Sequence, residues 1–141
     1  IQGSNSRCYA LLSDGECNEG SIWEAAMLAA GQQVHQLTAI VDYNKWQATG
    51  RSQEVMALEP LADKWKAFGW HAQEIDGHDL AAIGAALDTA RAESGKPSVI
   101  VANTIKGKGV TFMEDDNNWH YRTPNTEELS AALAELEELK L

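Results

Sequence analysis

The sequence has few of the features that mark secreted, membrane-spanning or nucleic-acid-binding proteins. Only two of its 141 residues are cysteines, Cys8 and Cys17, and they fit no disulfide framework or zinc spacing, so we expect a reducing, cytoplasmic setting. No apolar run approaches the roughly 18 residues of a spanning helix, and nothing resembles a signal peptide. Eleven basic and 21 acidic residues give a net charge of −10 without a basic cluster, which argues against nucleic acid and anionic membranes as partners.

Four short apolar runs predict the strands of a mainly parallel sheet. Each is bounded by turn-forming residues, as buried parallel strands are. The stretches between them have helical spacing or composition, so the chain is predicted to alternate strand and helix as three-layer α/β domains do. The predicted strands are residues 7–12, 37–41, 71–75 and 98–102, the last apolar enough to be central. The predicted helices are residues 19–31 and 58–68, one from about Asp79 to Gly95, and a last one opened by a capping box of Asn125 and Glu128.

An Asp-Gly-Glu string follows the first predicted strand, and an asparagine follows the second. Asp14 and Asn44 should therefore meet at the carboxyl edge of the sheet, where open α/β folds bind ligands. With a backbone carbonyl near Trp46 they would form an oxygen-only set, which suits Mg²⁺ or Ca²⁺ and leaves positions for phosphate oxygens. Gly15 would let a ligand approach the backbone. The alternative is an ordinary Asp-Gly turn, with Asn44 as a helix cap or loop residue.

Three further positions are candidates for function. Glu19 precedes a predicted helix, where an acidic side chain can simply complement the helix dipole. Lys106 opens a Lys-Gly-Lys-Gly string that could hold phosphate, although most such strings are merely flexible. His120 lies in residues 103–123, a stretch without periodicity of the kind that is usually functional or disordered. It could donate to a ligand oxygen or be a solvated loop histidine.

These positions resemble the diphosphate-binding half of a transketolase, in particular the N-terminal subunit of bacterial enzymes divided over two polypeptides. The thiamine diphosphate signature of that superfamily is a Gly-Asp-Gly triplet, a spacer of this size and an asparagine after the next strand. Here Ser13 stands in place of the first glycine. The resemblance covers nearly the whole chain, through the strings DGECNEG from Asp14, WEA from Trp23, VDYN from Val41, LEPLA from Leu58, FGWH from Phe68, DGHD from Asp76, TIKGKGV from Thr104 and WH from Trp119.

The resemblance implies thiamine diphosphate and Mg²⁺ (or Ca²⁺ or Mn²⁺) as cofactors. It assigns the metal to Asp14, Asn44 and the backbone carbonyl of Trp46. It assigns thiamine diphosphate to Ser13, Asp14, Gly15, Glu16, Asn44, Trp46, Lys106 and His120. The catalytic residues would be His120, near the reacting carbon, and Glu19, near the contact that links two cofactor sites.

The implied activity is transfer of a two-carbon ketol unit between sugar phosphates. Residues 1–141 would form the diphosphate-binding domain, a three-layer α/β fold with a mainly parallel sheet whose front segment is absent. A pyrimidine-binding C-terminal subunit or domain would be the partner and would supply the activating glutamate. We therefore expect the chain to be inactive alone and to work in a homo- or hetero-oligomer.

Three other interpretations share some of these features. Another thiamine diphosphate enzyme component, of the deoxyxylulose phosphate synthase or 2-oxo acid dehydrogenase type, would use the same Asp-Gly and Asn positions. A non-catalytic fragment that acts in subunit assembly is a second. An unrelated doubly wound nucleotide-binding domain ranks last, because the sequence has neither a Gly-x-Gly-x-x-Gly nor a Gly-x-x-x-x-Gly-Lys-Ser/Thr string.

Overall fold

A computed structural model describes residues 6–139, in which a four-stranded parallel sheet lies between helices. This confirms the predicted α/β class. In chain order the elements are β1 (Cys8–Ser13), α1 (Gly20–Gly31), β2 (Leu37–Tyr43), β3 (Trp46–Gln47), β4 (Gly50–Arg51), α2 (Ser52–Val55), α3 (Leu61–Ala67), β5 (His71–Asp76), α4 (Leu80–Ala92), β6 (Ser98–Asn103) and α5 (Thr126–Glu138), with single 3₁₀ turns at Glu16–Asn18 and Asn117–His120.

The strands lie in the order β1-β2-β6-β5, and every neighbouring pair is parallel. β6 is therefore central, as predicted, and Ser98–Ala102 is buried. Ser13 lies beside Asp42, and Tyr43 lies beside Asn103, so β1, β2 and β6 end at the same edge. Asp14 and Asn44 follow β1 and β2 at this edge, as the spacing predicted.

One face of the sheet is covered by α1 and α3. Val41 and Val99 from the strands pack with Ala26 of α1, whose small side chain allows close approach, and with Trp65 of α3. The Trp65 ring centroid lies 4.8 Å from that of Trp70. Trp70 also donates from Nε1 to the Ala26 carbonyl at 2.9 Å, which satisfies its buried polar group. Trp65 and Trp70 are therefore core residues of this face.

The other face is covered only in part. α4 packs on β5 and β6 and leaves an apolar groove of about 240 Å³ beside β1 and β2. The strand predicted at residues 7–12 is present as β1, but it is not buried as predicted, because Leu11 is 73% exposed and Tyr9 47% exposed. In the part of the chain that the structure describes, β1 pairs with one strand of the sheet, β2. An apolar run indicates a strand, but it does not indicate which other segments pack against that strand.

Most helix ends follow the predicted signals. α1 begins at Gly20, with Glu19 as its N-cap, and the capping box of Asn125 and Glu128 opens α5 as predicted. α3 is shorter than predicted, because it begins only at Leu61, after Pro60. β3, β4 and α2 were not predicted at all. No helix within residues 6–139 is long and apolar enough to cross a membrane.

Candidate metal and diphosphate site

Asp14 is a fully buried carboxylate directly after β1. Its Oδ1 accepts a hydrogen bond from the Gly15 backbone N–H at 2.8 Å, and its Oδ2 accepts one from the Ser52 hydroxyl at 2.6 Å. Burial raises the pKa of Asp14, because a charged group loses hydration there, while the bond from Ser52 works in the other direction. A cation beside this carboxylate would stabilise its charged form.

Asn44 opens a tight turn after β2. Its Oδ1 accepts from the Trp46 backbone N–H at 2.9 Å, which holds the amide oxygen beside Trp46. Lys45 lies between them with a φ of +67°, and its Nζ donates to Asn103 Oδ1 at 2.8 Å. The turn is thus braced against the end of β6 and keeps Asn44 and Trp46 together.

Ser52 joins the ends of β1 and β2. It is fully buried, and its backbone N–H donates to the Lys45 carbonyl at 3.0 Å while its hydroxyl donates to Asp14. One residue therefore connects the buried carboxylate to the turn of Asn44 and Trp46. Sequence reasoning missed Ser52, because nothing local marks a serine in a single helical turn as the partner of a distant aspartate.

The oxygen atoms at this edge fit a hard divalent cation. Within residues 6–139, no three His, Cys, Asp or Glu side chains lie close enough together to hold a metal. A carboxylate, an amide oxygen and a backbone carbonyl are instead the donors that Asp14, Asn44 and Trp46 offer, and each oxygen of a carboxylate can accept more than one contact. The donor set suits Mg²⁺ better than a soft metal.

The turn after β1 is closed by Ser13 and Glu16. The Ser13 backbone N–H donates to Glu16 Oε2 at 2.6 Å, and the Glu16 N–H donates to Ser13 Oγ at 3.2 Å. Gly15 has a φ of −62°, which any residue can adopt, so its backbone conformation does not require glycine. A Cβ at Gly15 would make ordinary van der Waals contact with Gln47 Cγ at 3.7 Å and Ser13 Oγ at 3.8 Å. The side chains of Gln47 and Ser13 therefore flank the backbone of Gly15.

Gln47 is a second residue that sequence reasoning missed, since no motif includes it. Its Oε1 accepts from Asn18 Nδ2 at 2.8 Å. Gln47 Nε2 and Asn18 Oδ1 are buried and have no hydrogen-bond partner among the described residues. Unused donor and acceptor groups thus lie close to Gly15.

The long loop between β6 and α5, residues 104–125, carries His120 to the same region. Asn117 Nδ2 donates to the Gln47 carbonyl at 2.9 Å, and the Tyr121 hydroxyl donates to the Ala48 carbonyl at 2.5 Å. These bonds fasten the 3₁₀ turn of His120 to the segment that follows Asn44. The imidazole is exposed and lies against the Tyr121 ring, with centroids 4.8 Å apart.

Lys106 and Glu19 are less closely tied to the other candidates. Lys106 lies in the same long loop, where its carbonyl accepts from the Asp115 N–H at 2.9 Å. Glu19 is exposed at the start of α1 and accepts from the Ser21 hydroxyl at 3.3 Å. The structure therefore brings Asp14, Asn44 and Trp46 together, places the His120 turn beside them and leaves Glu19 on the surface.

Comparisons with known proteins agree with the fold and identify a family of thiamine diphosphate-binding domains. The sequence profile described as "Transketolase, thiamine diphosphate binding domain" matches residues 2–136. A 6-deoxy-6-sulfo-D-fructose transketolase subunit from a Clostridium species is 51% identical over 129 residues, which are 92% of this chain and 47% of the relative. One of the apulose-4-phosphate transketolase subunits, from Actinobacillus succinogenes, is 40% identical over 136 residues, 96% of this chain and 49% of the relative.

The crystal structure of a transketolase from Campylobacter jejuni superposes with a TM-score of 0.88 at 27% identity, over 94% of this chain and 21% of that one. The chain spans about half the length of the curated relatives it matches.

Proposed function

The chain belongs to the transketolase family of thiamine diphosphate binding domains, and from that premise we propose that it is the diphosphate- and metal-binding part of a cytoplasmic transketolase. Residues 1–141 would be the diphosphate-binding domain, and a pyrimidine-binding subunit or domain would complete the site. The observation that carries the proposal is the buried Asp14, joined through Ser52 to the turn of Asn44 and Trp46 at the carboxyl edge of the sheet. The names of the two relatives support it, since both are transketolase subunits.

Each candidate residue has a role that its contacts support. Asp14, Asn44 and the Trp46 carbonyl would hold Mg²⁺, and the backbone of Gly15 would face the diphosphate. Ser13 and Glu16 hold the turn that presents Gly15. When bound, thiamine diphosphate supplies the nucleophilic carbon and the electron sink for ketol transfer.

The long loop would serve the substrate side of the site. The exposed imidazole of His120 can donate a proton or a hydrogen bond to a substrate oxygen, and Lys106 adds a positive charge for an anionic ligand. Glu19, exposed beside α1, would act at a subunit contact and not on substrate. The substrates would be sugars with an anionic group, because the names of both relatives contain one, a sulfo group in the first and a phosphate in the second.

The test is reconstitution of ketol transfer from separate components. The chain alone and the chain mixed with its pyrimidine-binding partner are incubated with thiamine diphosphate, Mg²⁺, a ketose phosphate and an aldose phosphate, and the product ketose is measured. We expect turnover only in the mixture, because the activating glutamate belongs to the partner. Full turnover by the pure single chain would refute the divided site, and cofactor binding without any ketol transfer in the mixture would refute the proposed activity on sugar phosphates.

A further inference from the structure

An ion pair joins the short β3–β4 hairpin to the long loop. Arg51 donates from both terminal nitrogens to Asp115, at 2.7 Å to Oδ1 and 2.5 Å to Oδ2. Asp115 Oδ1 also accepts from Trp46 Nε1 at 2.8 Å, and the Arg51 guanidinium lies 3.7 Å from the centroid of the Trp46 ring. Three side chains from two distant segments thus form one closed cluster of hydrogen bonds and stacking.

The cluster lies between the two halves of the candidate site. On one side Trp46 follows Asn44, and Ser52, next to Arg51, donates to the buried Asp14. On the other side Asp115 precedes the turn of His120, which is itself bonded to the hairpin carbonyls. Separation of the loop from the hairpin would break the Arg51–Asp115 pair.

We propose that Arg51 and Asp115 are positioning residues, whose ion pair holds Trp46 and the turn of His120 in a fixed relation to Asp14 and Asn44. This inference rests on the proposed function for its catalytic meaning, but the coupling between hairpin and loop is made by the chain's own side chains. Neither residue was selected from the sequence, because they lie 64 positions apart and neither belongs to a recognisable motif.

The chemistry of the pair requires these residue types. The guanidinium is planar and presents two N–H groups to one carboxylate while its face lies on the indole, which a lysine ammonium does not reproduce. Asp115 has a φ of +57°, a conformation that Asp and Asn adopt more readily than most residues. The side chains of Arg51 and Asp115 are 37% and 52% exposed, so added salt weakens their electrostatic attraction. The contact between the Arg51 guanidinium and the Trp46 ring contributes an attraction that salt screens less.

Three variants of the full protein test the proposal. Arg51→Lys keeps the charge and loses the fork, and Asp115→Asn keeps the size and the backbone preference but loses the charge. The control is Asp88→Asn, which breaks an exposed Asp–Arg pair of α4 at 3.3 Å, away from the hairpin and the loop. The measurements are hydrogen exchange of residues 112–121 without cofactor, and calorimetric binding of thiamine diphosphate in the presence of Mg²⁺.

In Arg51→Lys and Asp115→Asn, we expect hydrogen exchange of residues 112–121 to become about fivefold faster and the affinity for thiamine diphosphate to become about fivefold weaker. In Asp88→Asn, neither the exchange rate nor the affinity should change. Unchanged exchange and affinity in the two test variants, or an equal change in the control, would overturn the positioning role. If the unsubstituted protein with its partner binds no thiamine diphosphate, the proposed function fails. The exchange rates still decide the coupling between hairpin and loop in that case.

Discussion

At the scale of single residues, Asp14 shows how a binding site can cost stability. Its carboxylate is fully buried and receives two hydrogen bonds, and yet the loss of hydration prevails and raises its pKa. Burial therefore penalises the charged form of Asp14 relative to its neutral form. Mg²⁺ would remove this penalty, so binding and stability should be linked through Asp14.

We predict that Asp14→Asn raises the free energy of unfolding of the cofactor-free protein at pH 7. It removes the buried charge and keeps one oxygen, which can accept from Ser52, while the hydrogen bond from the Gly15 backbone N–H is lost. The expected gain is the part of the desolvation penalty that exceeds this loss, because desolvation outweighs the hydrogen bonds in setting the pKa of Asp14. The folded pKa of Asp14 lies above its ordinary value of 3.8, so the wild-type protein gains stability as the pH falls through the folded pKa, and the difference should shrink towards pH 4. Urea unfolding between pH 4 and pH 7 measures both effects.

The same variant should lose at least about a hundredfold in Mg²⁺-dependent affinity for thiamine diphosphate, because Asn lacks the charged carboxylate that would bind the metal. Calorimetry in the presence of the partner, with or without Mg²⁺, measures this loss. Asp63→Asn, which breaks an exposed pair with Lys66 on α3, is the control and should change neither quantity. Unaltered cofactor affinity in Asp14→Asn would show that Asp14 is not a metal ligand.

At the scale of elements, the long loop is held by backbone conformation as well as by side chains. Gly107 has a φ of +72°, and a Cβ there would lie 2.5 Å from the Met113 carbonyl oxygen. Gly109, with a φ of +96°, passes close to Leu136 of α5. The Lys-Gly-Lys-Gly string is therefore a folded turn with a structural need for glycine, whatever its lysines bind.

We predict that Gly107→Ala lowers the free energy of unfolding by about 2 kcal/mol, from strain and steric overlap at the Met113 backbone. Gly84→Ala is the matched control, since Gly84 lies inside α4 and a Cβ there meets nothing within 4 Å. It should raise the free energy of unfolding by about 0.5–1 kcal/mol. Urea unfolding compares the two, and a stabilised Gly107→Ala would contradict the observed turn.

The elements that could be predicted from the sequence are those that are specified by residues close together in the chain. Apolar runs indicated the four strands of the main sheet, and the residues Asn125 and Glu128 indicated the start of α5. The metal candidates Asp14 and Asn44 could be placed together because parallel strands share a carboxyl edge. Ser52 and the Arg51–Asp115 pair could not, because contacts across 38 and 64 positions depend on how the hairpin and the loop fold against each other.

At the scale of the whole molecule, the uncovered side of β1 is the main departure from a closed domain. A parallel sheet is normally covered on both faces and protected at its edges. In the described chain β1 has an unpaired edge, and Leu11 lies beside the apolar groove lined also by Ile40, Ile83 and Leu87. Apolar surface of this kind favours association with another protein surface.

We predict that the 141-residue chain associates at micromolar concentration, through the surface of β1 and the adjoining groove. Leu11→Lys should reduce the association, since a lysine on an edge strand resists pairing and removes apolar contact. The effect on stability should be small, because Leu11 is already 73% exposed. Leu80→Lys is the matched control, since Leu80 is 81% exposed at the start of α4 and does not line the groove. Light scattering gives the molar mass of each variant, and a cooperatively folding wild-type monomer would show that the sheet tolerates an open edge.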